Sequence, residues 1–349
     1  MFSLGTLFVV LICSWLLTGL IRRYALKVGM LDIPNHRSSH ACPTPRGGGV
    51  SFVIMFLSGI LILYSYELVD SSVMPIFMGS ALAIALIGFI DDRIQISAKW
   101  RLLGHFTASA FAVYWLQGMP SIAFFFWTLP QGVLLNVVAT FYAVWFLNLY
   151  NFMDGIDGLA AIQAVTVCLG GAFLYYLLGD FSAMLLPLLL GFAVLGFLYW
   201  NFPPAKIFMG DVGSGFLGFV LAILSIQAAH IKTELFYSWL ILSAGFLTDA
   251  TITLVRRGLA GQAVFEAHRS HAYQHAACHF GKHLPVTLAV LIINLFWLLP
   301  LASLAALNHM DGCLAVLLAY IPIVMLALKF KAGKAQGKPQ TASLVEPQP

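Results

Sequence analysis

Charge is what this 349-residue chain has least of: 9% of its residues are charged and 60% are hydrophobic. An ordinary soluble domain carries about 25% charged residues, so a water-exposed globule is excluded. Cys13, Cys42, Cys168, Cys278 and Cys313 form no CxxC pair, which leaves scattered structural thiols rather than a zinc ribbon or a disulfide framework. No internal repeat at a solenoid or transporter period is visible. His279 and His283 have the i, i+4 spacing of metal ligands but no HExxH carboxylate, so surface histidines on an amphipathic segment are the simpler account. The first apolar run, residues 2–21, has no basic segment before it and no small-residue cleavage site. Its positive charges, Arg22, Arg23 and Lys27, follow it, so it reads as a retained helix with the N-terminus outside. The net charge of +4 does not imply nucleic acid.

What the chain does have is apolar runs near the spanning length: 2–21, 48–66, 73–90, 102–118, 132–149, 158–178, 184–200, 213–230, 236–255, 286–307 and 312–329. They predict an all-α polytopic membrane protein of about eleven transmembrane helices. Between them, residues 119–131 carry Phe124, Phe125, Phe126 and Trp127 before Pro130 and read as an interfacial aromatic segment, not another crossing. Assigning alternate loops to opposite sides puts 17 of the 18 Lys and Arg residues on one side and leaves only Lys232 on the other. By the positive-inside rule the rich side, including the C-terminus, is cytoplasmic. The outer connections, such as Glu67–Ser72, Gly179–Ala183 and Asn308–Asp311, are too short to form a site, so the active site is expected on the cytoplasmic face. Residues 1–330 read as a single transmembrane catalytic domain and 331–349 as a disordered cytoplasmic tail.

Acids at a membrane boundary need a reason, because a charge at a helix centre costs roughly 2.5–3.5 kcal/mol on insertion scales. Asp91 and Asp92 end the third run. Asp154 and Asp157 lie in NLYNFMDGIDGLA with Asn148 and Asn151, and Asp211 lies in FMGDVGSG before a Gly-rich helix start. Helix capping explains some of these, but two Asn, two Asp and two Gly within a few residues exceed what a cap needs. Asp249 stands about a turn and a half inside the ninth run. Hard oxygen ligands from three separate segments suit Mg²⁺, which takes one or two carboxylates and fills its other positions with phosphate oxygens and water. Two His-bearing loops complete the face. DIPNHRSSHACPTPRGGG offers His36, Arg37, His40 and Arg46 as anion contacts, and the segment from Arg256 to His283 holds His268, Arg269 and His271.

Five ordered motifs, DIPNHRSSH…PTPRGGG, the Asp91–Asp92 pair, NxxNxxDGxDGLA, FMGDVGS and HRSHAYQ, span Asp32 to Gln274. In them the chain resembles the polyprenyl-phosphate N-acetylhexosamine-1-phosphate transferases, glycosyltransferase family 4, the superfamily that includes phospho-N-acetylmuramoyl-pentapeptide transferase. The resemblance implies transfer of a sugar 1-phosphate from a UDP-N-acetyl sugar to undecaprenyl phosphate in the bacterial inner membrane, with release of UMP and a requirement for Mg²⁺ that Mn²⁺ could meet. It implies Asp211 as a metal ligand with Asp92 beside it, and Asp91 as the residue that deprotonates or orients the lipid phosphate. Asn151, Asp154 and Asp157 match residues that contact nucleotide or support the metal site; His268, Arg269 and His271 match the diphosphate- and sugar-recognition loop. HRSH replaces the triple His of the muramoyl-pentapeptide branch and the HxHH of the enterobacterial N-acetylglucosamine branch. It is similar to the branch that starts surface polysaccharides such as O-antigen, which implies a 6-deoxy sugar such as N-acetylfucosamine or N-acetylquinovosamine. Homodimerisation is left open.

The alternative from another class is an ion-coupled transporter or lipid flippase. It predicts midplane acids, broken helices in symmetric pairs and functional groups on both faces, whereas this sequence has helix-end acids and a bare outer face.

Overall fold

The computed structural model describes residues 4–34, 42–262 and 268–334. A chain this apolar closes its backbone hydrogen bonds locally, and helices result. In chain order they are α1 (Leu4–Val28), α2 (Val50–Ser65), α3 (Pro75–Ile94), α4 (Ala98–Trp115), α5 (Val133–Phe152), α6 (Leu159–Leu178) and α7 (Leu185–Asn201), then α8 (Asp211–Ile231), α9 (Thr233–Leu242), α10 (Ala244–Leu259), α11 (Ala272–Phe280), α12 (Leu284–Ala306) and α13 (Gly312–Lys329). Among the described residues seven of these, α1, α3, α5, α6, α8, α12 and α13, are each long and apolar enough to cross a membrane, and α9 with α10 makes an eighth candidate. The chain is a multi-pass membrane protein. Among the described residues each apolar run predicted as a span is mainly helical; α2 and α7 are shorter, at 16 and 17 residues, and α4, at 18 residues, is not among the seven.

The run expected as one span at 236–255 is instead two helices that meet at 70°. No proline marks the break at Ser243, whose φ of −94° and ψ of 0° leave the helical path. Packing accounts for it: α9 lies against α8, α12 and α13, while α10 turns away to lie against α5 and α13.

The centre of the bundle is α8, which is buried along almost its whole length and packs against α3 and α5. A helix apolar on every side is buried on every side. Without a hydrophobic drive between helices in lipid, close backbone approach carries the packing. Gly88 on α3 shows how close that approach is: a Cβ there would lie 2.4 Å from the carbonyl oxygen of Asp211. One turn further along α3, Asp91 and Asp92 are therefore set against the start of α8.

Two short hairpins finish the ends. Strand β1 (Leu31–Asp32) pairs antiparallel with β2 (Thr44–Pro45), and Phe208 N–H donates to Pro45 O at 2.8 Å, bringing Arg46 to the start of α8. The aromatic segment at 119–131 contains the hairpin β3 (Ile122–Phe124) and β4 (Trp127–Leu129), with Phe126 and Trp127 outward, so it adds no further crossing. Of the expected tail, residues 331–334 fold back: Gly333 N–H donates to Ser270 O at 2.7 Å and Ala332 is buried. Residues 335–349 lie outside the described residues, as do 35–41 with His36, Arg37 and His40.

Candidate active site

The first amides of an α-helix have no partner inside the helix and attract negative charge. At α8 that charge is Asp92. Its Oδ1 accepts from Asp211 N–H at 2.9 Å and its Oδ2 from Val212 N–H at 3.2 Å. The side chain is only 6% exposed. Gly210, at φ +79°, makes the turn into α8, and a Cβ there would sit 2.6 Å from Asp92 Oδ2. With its backbone held this way, Asp211 projects its carboxylate from the first position of α8.

Two arginines answer the charge. Arg46 Nη2 lies 2.8 Å from both Asp92 Oδ1 and Asp211 Oδ1. Arg101 pairs with Asp91 Oδ2 and stands 3.7 Å from Asp211 Oδ2. Asp91 Oδ1 accepts from Ile96 N–H at 2.6 Å, which ties it to the α3–α4 turn. Burial alone favours loss of the Arg46 proton, but Asp211, Asp92, Asp32 and Asp154 outweigh it and hold the guanidinium above its usual value. Asp154, in the α5–α6 turn, is pushed well above the usual carboxylate range by burial, and Asp211, Asp92 and Asp157 add to the effect against Arg46. The carboxylates of Asp91, Asp92, Asp154 and Asp211 thus form one electrostatic group.

Asp157 belongs to a neighbouring arrangement. Its Oδ2 accepts from Ala205 N–H at 3.1 Å, its Oδ1 lies 3.2 Å from His283 Nδ1, and its carbonyl accepts from Thr287 Oγ1 at 2.8 Å. Asn201 accepts from Gly158 N–H at 3.1 Å and donates to Ile207 O at 3.0 Å, locking the same turn. Asn151 lies half-buried in the last turn of α5; Asn148 folds back onto Val144 O at 2.7 Å.

The second histidine loop meets this turn through aromatic contacts. His268 stacks on His271 at 4.9 Å, and both lie beside Phe152, at 6.2 and 6.3 Å between centroids. Tyr273 Oη donates to Phe152 O at 3.0 Å. Burial, with His271 and Arg257 adding to it, lowers the His268 pKa to about 4, so the ring is neutral at pH 7. Its Nδ1 is 2.9 Å from Ser270 Oγ. Arg269 points elsewhere, with Nη2 3.3 Å from Cys278 Sγ.

The fold therefore joins Asp91, Asp92, Asp211, Arg46 and Arg101 through ion pairs with Asp154 in electrostatic reach, and sets Asp157 and the His268–His271 pair at the neighbouring α5–α6 turn, with Asn151 in the last turn of α5 and Arg269 turned aside. Arg46, expected as an anion contact, is engaged with two carboxylates. Among the described residues no three His, Cys, Asp or Glu side chains converge on one metal position. Arg101 was not among the residues expected at the site, and His283, expected at the surface with His279, lies against Asp157. Arg101 follows the Asp pair within the same segment, which is the signal that could have found it; the spacing of His283 from His279 says nothing of Asp157, 126 residues away. An apolar cavity of about 160 Å³, lined by Ile21, Tyr24, Met30, Val50 and Phe89, opens beside Asp92 and Arg93. At the opposite end, where short connections were expected to form nothing, a shallow hollow of about 580 Å³ lies between Ser71, Tyr114, Trp115 and Asn136.

The molecule is thus a bundle of apolar helices with buried carboxylates and arginines gathered at helix ends, and its relatives are membrane enzymes. The sequence profile of glycosyl transferase family 4 matches residues 74–229. Over 317 residues the chain is 30% identical to a probable undecaprenyl-phosphate N-acetylglucosaminyl 1-phosphate transferase of Bacillus subtilis, covering 90% of this chain and 87% of that one. It is 31% identical over 303 residues to a decaprenyl-phosphate N-acetylglucosaminephosphotransferase of Mycobacterium tuberculosis, covering 75% and 72%. A phospho-N-acetylmuramoyl-pentapeptide-transferase of Streptococcus pneumoniae is 32% identical over 213 residues, covering 57% and 63%. The chain belongs to glycosyl transferase family 4, among the transferases that load a sugar phosphate onto a polyprenyl phosphate.

Proposed function

We propose that this protein transfers an N-acetylhexosamine 1-phosphate from a UDP-sugar to undecaprenyl phosphate and releases UMP, working in the bacterial inner membrane to start a surface polysaccharide such as O-antigen. The observation that carries the reading is the group of Asp91, Asp92, Asp154 and Asp211 with Arg46 and Arg101 around the start of α8. A phosphate attacking a diphosphate brings like charges together, so catalysis is mainly neutralisation and alignment. Mg²⁺, or Mn²⁺ in its place, would neutralise phosphate oxygens there.

The donor set suits such an ion. Asp211 would be the leading ligand; Asp92 gives both oxygens to amides, and Oδ2 would have one lone pair left for the ion. No hydrogen bond or ion pair among the described residues engages the Asp154 carboxylate, which can turn to the same ion or to its water. Arg46 and Arg101 would exchange carboxylate for phosphate contacts as substrate enters, and Asp91, freed from Arg101, would receive the proton of the lipid phosphate. The apolar cavity beside Asp92 places isoprenoid-compatible surface next to these charges.

For the donor, the HRSH loop favours a 6-deoxy sugar such as UDP-N-acetylfucosamine or UDP-N-acetylquinovosamine. The relatives from Bacillus and Mycobacterium, whose names specify N-acetylglucosamine, favour that sugar as the second reading. UMP release by the purified protein, measured across a panel of UDP-N-acetyl sugars with and without undecaprenyl phosphate, tests both. Activity that persists in excess EDTA, or without the lipid, would overturn the reaction.

We also propose eleven crossings with the N-terminus outside and the C-terminus in the cytoplasm, a reading supported by the distribution of basic residues. Single cysteines at Ser97 and Gln262 should be shielded from an impermeant reagent in intact cells, and one at Ser71 should react. The reverse pattern inverts the topology. Whether the protein pairs into a homodimer is read from its mass in detergent.

A further inference from the structure

Asp249 lies within α10 and is 5% exposed. An acid inside an apolar bundle persists when its charge has dedicated partners. Its partners come from one place. Oδ1 accepts from Ala272 N–H at 2.8 Å and Oδ2 from Tyr273 N–H at 2.9 Å, the first two amides of α11. Thr253 Oγ1, one turn along α10, donates to Oδ1 at 3.1 Å. His271 Nδ1 stands 3.6 Å from Oδ1, within reach of its charge but outside hydrogen-bond distance.

His271 is 2% exposed and stacks with both His268 and Tyr273, with ring centroids 4.9 and 5.6 Å away. The backbone N–H of His271 donates to Gln274 Oε1 at 3.2 Å. Tyr273 reaches Phe152 O, and Gly155 leaves room for that reach, since a Cβ there would lie 2.1 Å from the Tyr273 oxygen. The start of α11 is thereby fixed to the turn that carries Asp154 and Asp157.

We infer that Asp249 is a positioning residue that acts through His271 on the UDP-sugar. Its carboxylate holds the first two amides of α11 and so fixes where the His271 ring stands, with its charge 3.6 Å from Nδ1. The 70° break between α9 and α10 is what aims Asp249 at α11. The inference rests on the transferase reading for its substrate and on geometry alone for the anchor.

The test uses the purified full-length protein with Mg²⁺ and the variants Asp249→Asn, His271→Ala and their combination. Asp249→Asn should lower kcat/KM for the UDP-sugar about 10–100-fold, the range for loss of a supporting carboxylate, and leave KM for undecaprenyl phosphate unchanged. In the His271→Ala background the same change should cost less than about threefold. Additive losses, or an equal rise in KM for the lipid, would overturn the inference. If Asp249→Asn does not fold, Thr253→Val, which removes one bond to the carboxylate, should give a smaller loss in the same parameter that vanishes in the His271→Ala background; a loss that remains there also overturns it. Hydrogen exchange separates this failure from failure of the transferase reading. Weakening the anchor should speed exchange at Ala272–Gln274 and leave Asp211–Ser214 unchanged, whether or not UMP is released. Unchanged exchange at Ala272–Gln274 rejects the anchor outright.

Discussion

Asp92 and Asp249 perform the same mechanical task at two places in the bundle. Each sends its two oxygens to the first two amides of another helix: Asp92 to α8 at 2.9 and 3.2 Å, Asp249 to α11 at 2.8 and 2.9 Å. They differ in the counter-charge and in what the captured helix presents. Asp92 is paired with Arg46, a permanent cation, and its helix presents a second carboxylate, Asp211. Asp249 faces His271, and its helix presents stacked imidazoles. One captured helix thus presents a carboxylate between arginines and the other presents imidazole rings, the two parts to which metal and sugar are assigned in the proposal.

Breaking the first arrangement should have the larger effect. Asp211→Asn should reduce kcat about 100-fold or more, with the thermal midpoint in detergent near that of the parent protein, because it removes charge from the site without removing the amides' partner. A variant that keeps a tenth of the parent rate at saturating Mg²⁺ would separate Asp211 from the metal. Asp92→Asn should lose activity and stability together. A carboxylate that accepts from two helix amides is worth about 1–3 kcal/mol, and the loss is read as a lower midpoint in detergent. An unchanged midpoint would deny the anchor that makes the two sites comparable.

A smaller effect is expected at His283, which lies against Asp157 rather than against either anchor. His283→Ala should lower kcat/KM by about fivefold, equivalent to about 1 kcal/mol, through a looser α5–α6 turn. The smallest concerns pH. Burial holds His268 at about 4, so it gains no proton between pH 5.5 and 8, and His268→Gln should leave the shape of the pH–rate profile unchanged in that window. Loss of a limb of the profile in His268→Gln would mean that this histidine titrates during turnover, and would make the second site a charged one.

The Asp pair, the Asn/Asp turn and the Asp before the Gly-rich start were legible because each stands out in an apolar setting. The partition of acids between anchoring and presenting was not. Asp91, Asp92 and Asp211 look alike in sequence, yet Asp92 turns into the amides of α8 while Asp211 projects from them. Asp249 was visible as an acid out of place, but its reason lies more than twenty residues away, at the start of α11. His283 passed for a surface residue because its partner, Asp157, is 126 residues distant.

The class of molecule follows from composition and local order. Continuous apolar runs of helix-spanning length become helices in lipid, since a helix satisfies its backbone within the run, and acids at the ends of such runs persist for a chemical reason. Which helices bend, and which charges meet, depends on groups brought together across the bundle. Gly88 lets α3 lie against α8 closely enough for Asp92 to meet amides 119 and 120 residues later, and Arg46 to stand between Asp92 and Asp211. A hydrogen bond needs donor and acceptor about 3 Å apart and aligned, so contacts of this kind are settled by packed backbones and not by spacing along the chain.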